Sequence, residues 1–291
     1  MRIRDRIEQR AERLTPSERQ LASVLIADYP FAGLAPIQKL SGRAKVSPPS
    51  ISRFVAKLGF SGFQDFQQAL VQELKEGDRS PIELGRSRRP IDETAPLASY
   101  LALVDALNTE MCESLPAERF DRICTLLGDP RRRIGMIGGR MSDSIAVFFA
   151  RHLAQVRENV VHIPADSESW PDHLLRLRPR DVVVIFDFRR YQPGLARLAA
   201  AVRSRKAQTV VITDQWVSPA ARGASELVAV PIASGTVWDS YVPAFALVEA
   251  MMVRLAERNW EGSKDRIAAW DAMRETLVSG TEQQPAERMD A

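Results

Sequence analysis

A short polar segment near the N-terminus places hydroxyl and cationic side chains at helical spacing. Ser47 is a good N-cap, and the two prolines after it fit the first helical turn, where their missing N–H groups cost little. Side chains of these types reach base edges and phosphates, and a helix N-terminus itself favours a phosphate. The segment predicts either a DNA contact or an ordinary solvated helix face. The candidate DNA contacts are Ser47, Pro48, Ser50, Ser52, Arg53 and Lys57.

A second polar segment, Gly138 to Ser144, follows a predicted strand. Its glycines let the backbone approach a ligand, and Ser142 and Ser144 offer hydroxyls near a helix N-terminus that favours an anion. The segment lacks the full G-x-G-x-x-G spacing, and the sequence has no P-loop. It therefore predicts either an anion-binding loop or a strand-to-helix turn that needs glycine for steric reasons alone.

Catalytic and metal-binding patterns are weak. The spacing of the three histidines, His152, His162 and His173, pairs none of them with a nucleophile. Cys112 and Cys124 are too few for a disulfide framework, and no His/Cys cluster has metal-ligand spacing. We expect no catalytic residue, no metal and no cofactor, although carboxylates such as Asp239 are conceivable acid or base groups.

The first 75 residues contain only helical patterns. Thr15 as N-cap, Pro16 at the first position and Glu18 as the third member of a capping box predict a helix over 17–28. Further helices are predicted over 36–44 and from Ser47 to Leu58, the last of them ended by Gly59. Two helices joined by a tight turn, with a polar outer face on the second, predict a helix-turn-helix DNA reader.

From about residue 96 the pattern changes to short apolar runs alternating with helical stretches. Helices are predicted near 97–114, 117–127 and 240–259, and five strands over 133–137, 160–163, 182–186, 209–213 and 227–231. Continuous apolar runs such as 182–186 are typical of strands buried on both faces. This block predicts a doubly wound α/β domain with a parallel five-stranded sheet, whose ligands bind at the carboxyl ends of the strands.

Composition and charge fit this division. The chain has 291 residues, 45% hydrophobic and 26% charged, with a net charge of +3. Residues 1–75 hold 12 basic and 7 acidic groups, a balance of +5, which leaves −2 for the remainder. We expect a helix-turn-helix domain over 1–75, a linker over 76–95 and an α/β domain over 96–291. No signal peptide or membrane span is recognisable, so we expect a cytoplasmic protein with no membrane partner.

The N-terminal motifs resemble the DNA-binding domain of the RpiR/MurR transcriptional regulators. The resemblance is carried by the segments 14–19, 37–40, 46–54 and 58–63, with the core pattern S-x-x-[ST]-I-x-R-F followed by K-L-G-F-x-G-F. The sequence departs at Pro49, where the family usually has a small residue. The resemblance implies operator recognition, and we expect Arg53 and Lys57 to contact phosphates more than bases.

The rest of the chain resembles a SIS (sugar isomerase) domain, which RpiR-type regulators carry. The matching residues include Gly138-x-Arg140-x-Ser142, the run 181–185, Thr213-Asp214 and the run 218–221. This resemblance implies that the domain binds phosphorylated sugars and dimerises.

The sequence departs from the SIS pattern where the phosphate would bind. The usual S-x-S-G-x-T loop after the third strand is replaced by residues 187–192, Asp-Phe-Arg-Arg-Tyr-Gln, and a glycine of the first loop is Arg140. Two outcomes are open. Either Arg140, Arg189 and Arg190 bind an anion through charge-assisted contacts, with Asp187 orienting one of them or accepting a ligand group, or Asp187 and Arg189 pair and close the pocket.

Together these features predict a transcriptional regulator that binds double-stranded operator DNA as a homodimer or homotetramer, as a repressor or an activator, and responds to a small anionic effector. The candidate effector contacts are Gly138, Arg140, Ser142, Ser144, Asp187, Arg189 and Arg190. Two alternatives remain at this point: a SIS-type sugar-phosphate isomerase or lyase, and a DNA-binding protein whose SIS-like domain only oligomerises. The altered loop keeps the second alternative open.

Overall fold

The N-terminal region folds into a bundle of short helices. The computed structural model describes residues 2–279 of the chain. The bundle helices are α1 (Ile3–Glu8), α2 (Pro16–Ala27), α3 (Phe31–Leu34), α4 (Ile37–Ala44), α5 (Pro48–Lys57) and α6 (Phe63–Gly77). A tight turn with Lys45 in the left-handed region (φ 49°) joins α4 to α5. This arrangement confirms the predicted helix-turn-helix.

Local capping sets the ends of these helices as the sequence predicts. Thr15 and Glu18 form a complete capping box at the start of α2, and the Ser47 hydroxyl accepts the Ser50 N–H at the start of α5. Gly59, with a φ of +94°, follows the end of α5. Because Leu40, Ile51 and Phe54 are fully buried, the polar residues of α5 are left on the opposite, outer face.

The segment between the two domains contains a helix that periodicity did not indicate. Within 76–95, which we expected to be a linker, α7 spans Pro81–Arg86 and begins with a capping box between Ser80 and Glu83. The same pattern of hydroxyl, proline and glutamate opens α2. A helix of six residues is too short to show a recognisable apolar stripe, so the capping sequence was the one signal that could have predicted this helix.

The second block is a parallel α/β domain, as predicted. Its strands are β1 (Ile134–Gly138), β2 (Val160–His162), β3 (Val182–Asp187), β4 (Gln208–Asp214) and β5 (Glu226–Val230), in the order β2-β1-β3-β4-β5. Its helices are α8 (Pro96–Ser114), α9 (Ala117–Gly128), α10 (Asp143–Val156), α11 (Trp170–Leu175), α12 (Pro193–Ser204), α13 (Val242–Arg258) and α14 (Trp260–Ser279). Residues 280–291 of the predicted block lie outside the described part of the chain.

Each face of the sheet has its own core. Met136 and Val184 face a cluster that includes α10 and α13, whereas Val183 and Val211 face a cluster that includes α12. The second cluster continues into the apolar core of the helical bundle, so the two blocks pack against each other. In the described part of the chain, no helix is long and apolar enough to cross a membrane.

The turn from β1 to α10 requires a glycine. A Cβ at Gly138 would lie 2.4 Å from both the N and the Cα atoms of Asp143. We expect Gly138→Ala to destabilise the protein by about 2–4 kcal/mol, because backbone must move to accept the methyl group. Chemical unfolding measures the change. Gly42→Ala is the control: no atom lies within 4 Å of its Cβ position in α4, so it should be neutral or stabilising. Equal effects of the two variants would contradict the tight turn.

Candidate functional site

A cavity of about 280 Å³ lies at the carboxyl ends of β1 and β3, where ligands bind in folds of this type. Five of the predicted effector residues line it: Arg140, Ser142, Asp187, Arg189 and Arg190. The remaining two, Gly138 and Ser144, do not. Gly138 is covered by the turn into α10, and Ser144 is exposed and donates its hydroxyl to the Met141 carbonyl at 2.8 Å.

Ser142 holds the first loop in place. Its hydroxyl donates to the Phe186 carbonyl at 2.7 Å and accepts the Gly139 N–H at 2.9 Å. The side chain is buried and joins the loop after β1 to the last residues of β3. Its donor is therefore used within the protein, whereas the sequence predicted a hydroxyl that contacts an anion.

Asp187, the last residue of β3, is a buried carboxylic acid. It accepts the Ser218 hydroxyl and, at 3.3 Å, the Gln192 N–H. Burial raises the pKa of Asp187 to about 7, with a further rise from the nearby Asp214 carboxylate, although the hydrogen bonds from Ser218 and Gln192 oppose the shift. Near neutral pH this carboxyl therefore exchanges between charged and neutral forms.

Arg189 is a buried cation whose partner is Asp239, so the expected alternative of an Asp187–Arg189 pair is wrong. The Arg189 side chain is 4% exposed, and its Nε lies 3.1 Å from the Asp239 carboxylate. The guanidinium stacks 3.9 Å from the centre of the Trp216 ring. Its Nη1 is buried and has no hydrogen-bond partner among the described residues. This cavity-lining guanidinium thus keeps donor capacity for a ligand.

Backbone amides in the loop after β3 are already bonded within the protein. The Arg189 N–H donates to Asp214 at 2.5 Å, and the Arg190 N–H donates to the Gly77 carbonyl at 3.2 Å. Arg190 occupies the glycine position of the S-x-S-G-x-T pattern and has a φ of +66°, a conformation that favours glycine. The loop therefore keeps a glycine-type path, while the amides of Arg189 and Arg190 are already used within the protein.

The cavity carries more positive than negative side chains. Four guanidiniums line it, from Arg79, Arg140, Arg189 and Arg190, against the carboxyls of Asp187 and Asp239. Burial raises the pKa of Asp239, and Arg189 and Arg79 oppose that rise. Since Asp187 is partly protonated near pH 7, the balance favours an anion held by side-chain forks rather than by backbone N–H groups.

Sequence reasoning missed most of the outer wall of the cavity. Residues of the interdomain segment (Arg79, Pro81 and Leu84) and of the stretch before α13 (Trp238 and Tyr241) complete it. The capping sequence at Ser80 was the sequence signal that could have predicted a structured wall in the interdomain segment. For the second, the carboxylate at Asp239 had been noted as chemically capable, but nothing in the sequence placed it beside Arg189.

The predicted DNA contacts lie together on α5 and its cap. Five of them, Ser47, Pro48, Ser52, Arg53 and Lys57, are exposed, and Ser50 is half-buried. Arg53 donates to the Ser50 hydroxyl at 3.1 Å, and the Lys57 ammonium lies 3.0 Å from Glu18 of α2. The exposed Ser17 at the first turn of α2 lines the same groove as Arg53 and was not among the predicted contacts.

Comparison with known proteins matches two domain families to the two blocks. Residues 1–77 match the helix-turn-helix domain of the rpiR family, and residues 128–254 match the SIS domain. The chain is also similar to the HTH-type transcriptional regulator HexR of Escherichia coli (strain K12). The two are 25% identical over 265 residues, which cover 88% of this chain and 84% of that protein.

Two solved structures share the fold. The Vibrio vulnificus NanR protein, complexed with ManNAc-6P, superposes with a TM-score of 0.54 at 18% identity, covering 94% of this chain and 98% of that one. The sugar isomerase domain of an RpiR transcription factor from Sphaerobacter thermophilus superposes with a TM-score of 0.56 at 20% identity, covering 62% of this chain and 99% of that domain.

The buried carboxyl of Asp187 predicts a pH-dependent stability. Its pKa is raised to about 7 in the folded protein, so folding favours the protonated form, and the stability it contributes at about pH 4 is lost as the pH rises to about 7. Replacing the residue, Asp187→Asn, should remove this loss of a few kcal/mol, since a tenfold change in proton affinity corresponds to about 1.4 kcal/mol. Unfolding midpoints measured between pH 4 and 8 test it. The pKa of Asp214 is also raised, to about 6, but Asp214 is present in both the wild type and Asp187→Asn. If the two proteins lose stability in parallel as the pH rises, the pH dependence does not come from Asp187.

Proposed function

This chain belongs to the rpiR family of helix-turn-helix proteins with a C-terminal SIS domain, and we propose that it is a transcriptional regulator whose operator affinity changes when a small anionic metabolite occupies the cavity. The main observation that supports this proposal concerns Arg189. Its guanidinium lines the cavity, is buried and has an Nη1 without a hydrogen-bond partner in the described chain. Leaving a buried donor unpaired is costly, and an anionic ligand removes that cost.

A phosphosugar or a related sugar acid is the effector class that we infer. The relative NanR was solved with ManNAc-6P, which supports a phosphorylated sugar. In this chain the anionic group would contact guanidiniums, because the Arg189 and Arg190 amides and the Ser142 hydroxyl are bonded internally. Arg140 and Arg190 have no carboxylate partner among the described residues, so they are available beside Arg189. A protonated Asp187 would donate to a sugar hydroxyl.

We assign no catalytic step to the cavity. Histidine is the commonest general acid or base, yet His152 and His173 do not line it, and His162 bonds Asp143 at 2.9 Å away from its lining. The absence of turnover is part of the proposal. We further propose that the protein acts in the cytoplasm, where its operator DNA lies.

On the DNA side, α5 is the proposed reading helix. Its N-terminal residues Ser50 and Arg53 would reach base edges or phosphates in the major groove, as helix-turn-helix recognition helices do. Lys57 is held by Glu18 and would contribute mainly to the electrostatic surface. One helix reads few base pairs, so we propose a homodimer or homotetramer that places two copies on symmetric half-sites.

The geometry supplies a direct route from the cavity to the DNA-binding bundle. The last residue of α6, Gly77, packs so closely that a Cβ there would lie 3.0 Å from the Trp216 side chain and 3.2 Å from the Tyr191 hydroxyl. Trp216 is the ring on which Arg189 stacks, and the Gly77 carbonyl accepts the Arg190 N–H. An anion that moves the Arg189–Arg190 loop therefore acts on the end of α6.

Helix α6 carries that displacement into the bundle. Phe66 and Leu70 are buried in the bundle core. The Glu73 carboxylate accepts the Ile3 N–H at 2.9 Å and the hydroxyl of Tyr29. Effector binding would therefore bias one arrangement of the bundle relative to the SIS domain, and operator affinity would change by the ratio of the effector's affinities for the two arrangements.

Separate variants should divide the two binding activities. Arg53→Ala should weaken operator binding about tenfold and leave effector binding unchanged. Arg189→Lys keeps a cation beside Asp239 but loses the planar fork, so it should abolish effector binding and spare operator binding. Gel shifts measure the first activity. For the second, the rise in melting temperature is measured with glucose 6-phosphate, gluconate and ManNAc-6P. Arg140→Gln, at an exposed residue of the cavity, tests the cavity independently of Arg189. Loss of both operator binding and effector binding in Arg53→Ala or in Arg189→Lys would argue against two separate sites.

The route through α6 has its own test. A methyl group at Gly77 must displace Trp216 or Tyr191, so Gly77→Ala should leave effector binding within a few-fold but change, by several-fold, the ratio of operator affinities with and without effector. Gly85→Ala in α7 is the matched control, because its Cβ would make an ordinary 3.5 Å contact. An unchanged ratio in Gly77→Ala would exclude this route.

A further inference from the structure

Three basic segments precede the three central strands of the sheet. They hold nine basic and two acidic residues, a local charge of +7 in a chain whose total is +3. The basic residues are Arg131, Arg132, Arg133, Arg176, Arg178, Arg180, Arg203, Arg205 and Lys206. The acidic ones are Asp129 and Asp181. None of the functions proposed above uses this charge.

The topology brings these segments to one edge. Strands β1, β3 and β4 are parallel neighbours, and their first residues are paired, Ile134 with Val182 and Val182 with Gln208. The residues just before them therefore meet at the amino end of the sheet, opposite the effector cavity. There they line an open groove, the amino-end groove, with the guanidiniums of Arg131, Arg133, Arg176, Arg178 and Arg205.

Most of this positive charge is not neutralised within the protein. The Asp181 carboxylate accepts the backbone N–H groups of Arg133 and Arg178, at 3.0 and 2.8 Å, and so fixes the two loops. Asp129 pairs with Arg131 and Arg132. In the described part of the chain no carboxylate pairs with Arg133, Arg176 or Arg178. Arg176, Arg178 and Arg205 are exposed.

We propose that the amino-end groove binds the phosphate backbone of duplex DNA flanking the operator; this rests on the proposed DNA-binding function. Guanidiniums spread over three chain segments suit an extended polyanion more than a compact metabolite. Single-stranded nucleic acid is normally held by aromatic stacking, and no aromatic side chain lines the groove among the described residues. The contact is with phosphates and is therefore independent of sequence.

Helix α2 relates the groove to the reading helix. Its first turn pairs with α5 through Glu18 and Lys57, and its last residue accepts the Gly223 N–H at 3.4 Å. Gly223 packs against Arg203, which belongs to one of the basic segments. A helix of 12 residues spans about 18 Å, and duplex DNA rises about 3.4 Å per base pair, so about five flanking base pairs cover this distance.

The test uses the full-length protein and two duplexes, the minimal operator and the same operator with 15 added base pairs of unrelated sequence on each side. The wild type should bind the longer duplex more tightly and with a steeper salt dependence. In the combined variant Arg176→Gln, Arg178→Gln and Arg205→Gln, the log–log salt slope on the long duplex should fall by about 2.7, or about 0.9 for each lost phosphate contact. Between 50 and 200 mM salt that slope corresponds to about a 40-fold difference.

Three outcomes separate the proposals. Binding of the minimal operator should be the same in the wild type and the triple variant, and failure of the wild type to bind it would sink the regulator function itself. Normal operator binding without any benefit from the flanks would overturn the groove assignment alone. A groove that binds single-stranded DNA as tightly as duplex flanks would also overturn it. The control variant removes three exposed arginines elsewhere, Arg151→Gln, Arg197→Gln and Arg274→Gln, and should retain the flank effect.

Discussion

Burial of the Arg189 guanidinium is the constraint on which the effector cavity depends. A cation removed from water is tolerated when it is paired, and here the partners come from two separate parts of the chain. Asp239 supplies the charge, Trp216 supplies a ring face and Asp214 holds the backbone N–H. The loops after β3 and β4 and the stretch before α13 are thereby joined around one side chain, and their junction forms the cavity wall.

The same junction connects the SIS domain and the helix-turn-helix domain. Trp216 contacts Arg189 on one side and the end of α6 on the other, and the backbone of Arg190 is bonded to Gly77. The continuous apolar cluster beneath α12 and the bundle keeps the two blocks in register. A site built from a shared interface needs no long pathway to influence DNA binding, since its wall and the DNA-binding bundle meet at Gly77.

The fold was predictable because its elements are set by residues that are neighbours in sequence. The site was only partly predictable because its contacts join residues that are far apart in sequence. Capping at Thr15 and Ser47 and the apolar run of β3 depend on neighbours in sequence, so those elements were correctly predicted. The partner of Arg189 is 50 residues away, and adjacency along the chain had offered Asp187 as one of two alternatives. The charge of the amino-end groove was hidden for a similar reason. Its basic residues lie in three short segments that are far apart in sequence and meet only when the strands align.

The backbone at Arg190 bears on how this fold changes its ligands over evolutionary time. Its φ of +66° belongs to glycine, yet the loop adopts it with an arginine because hydrogen bonds to Gly77 and Asp214 fix the path from outside. Such strain costs about 1–3 kcal/mol and is offset by the surrounding contacts. The side chain at position 190 can therefore change while the backbone path is kept. A lineage could replace the glycine of a hydroxyl cradle by an arginine without rebuilding the loop.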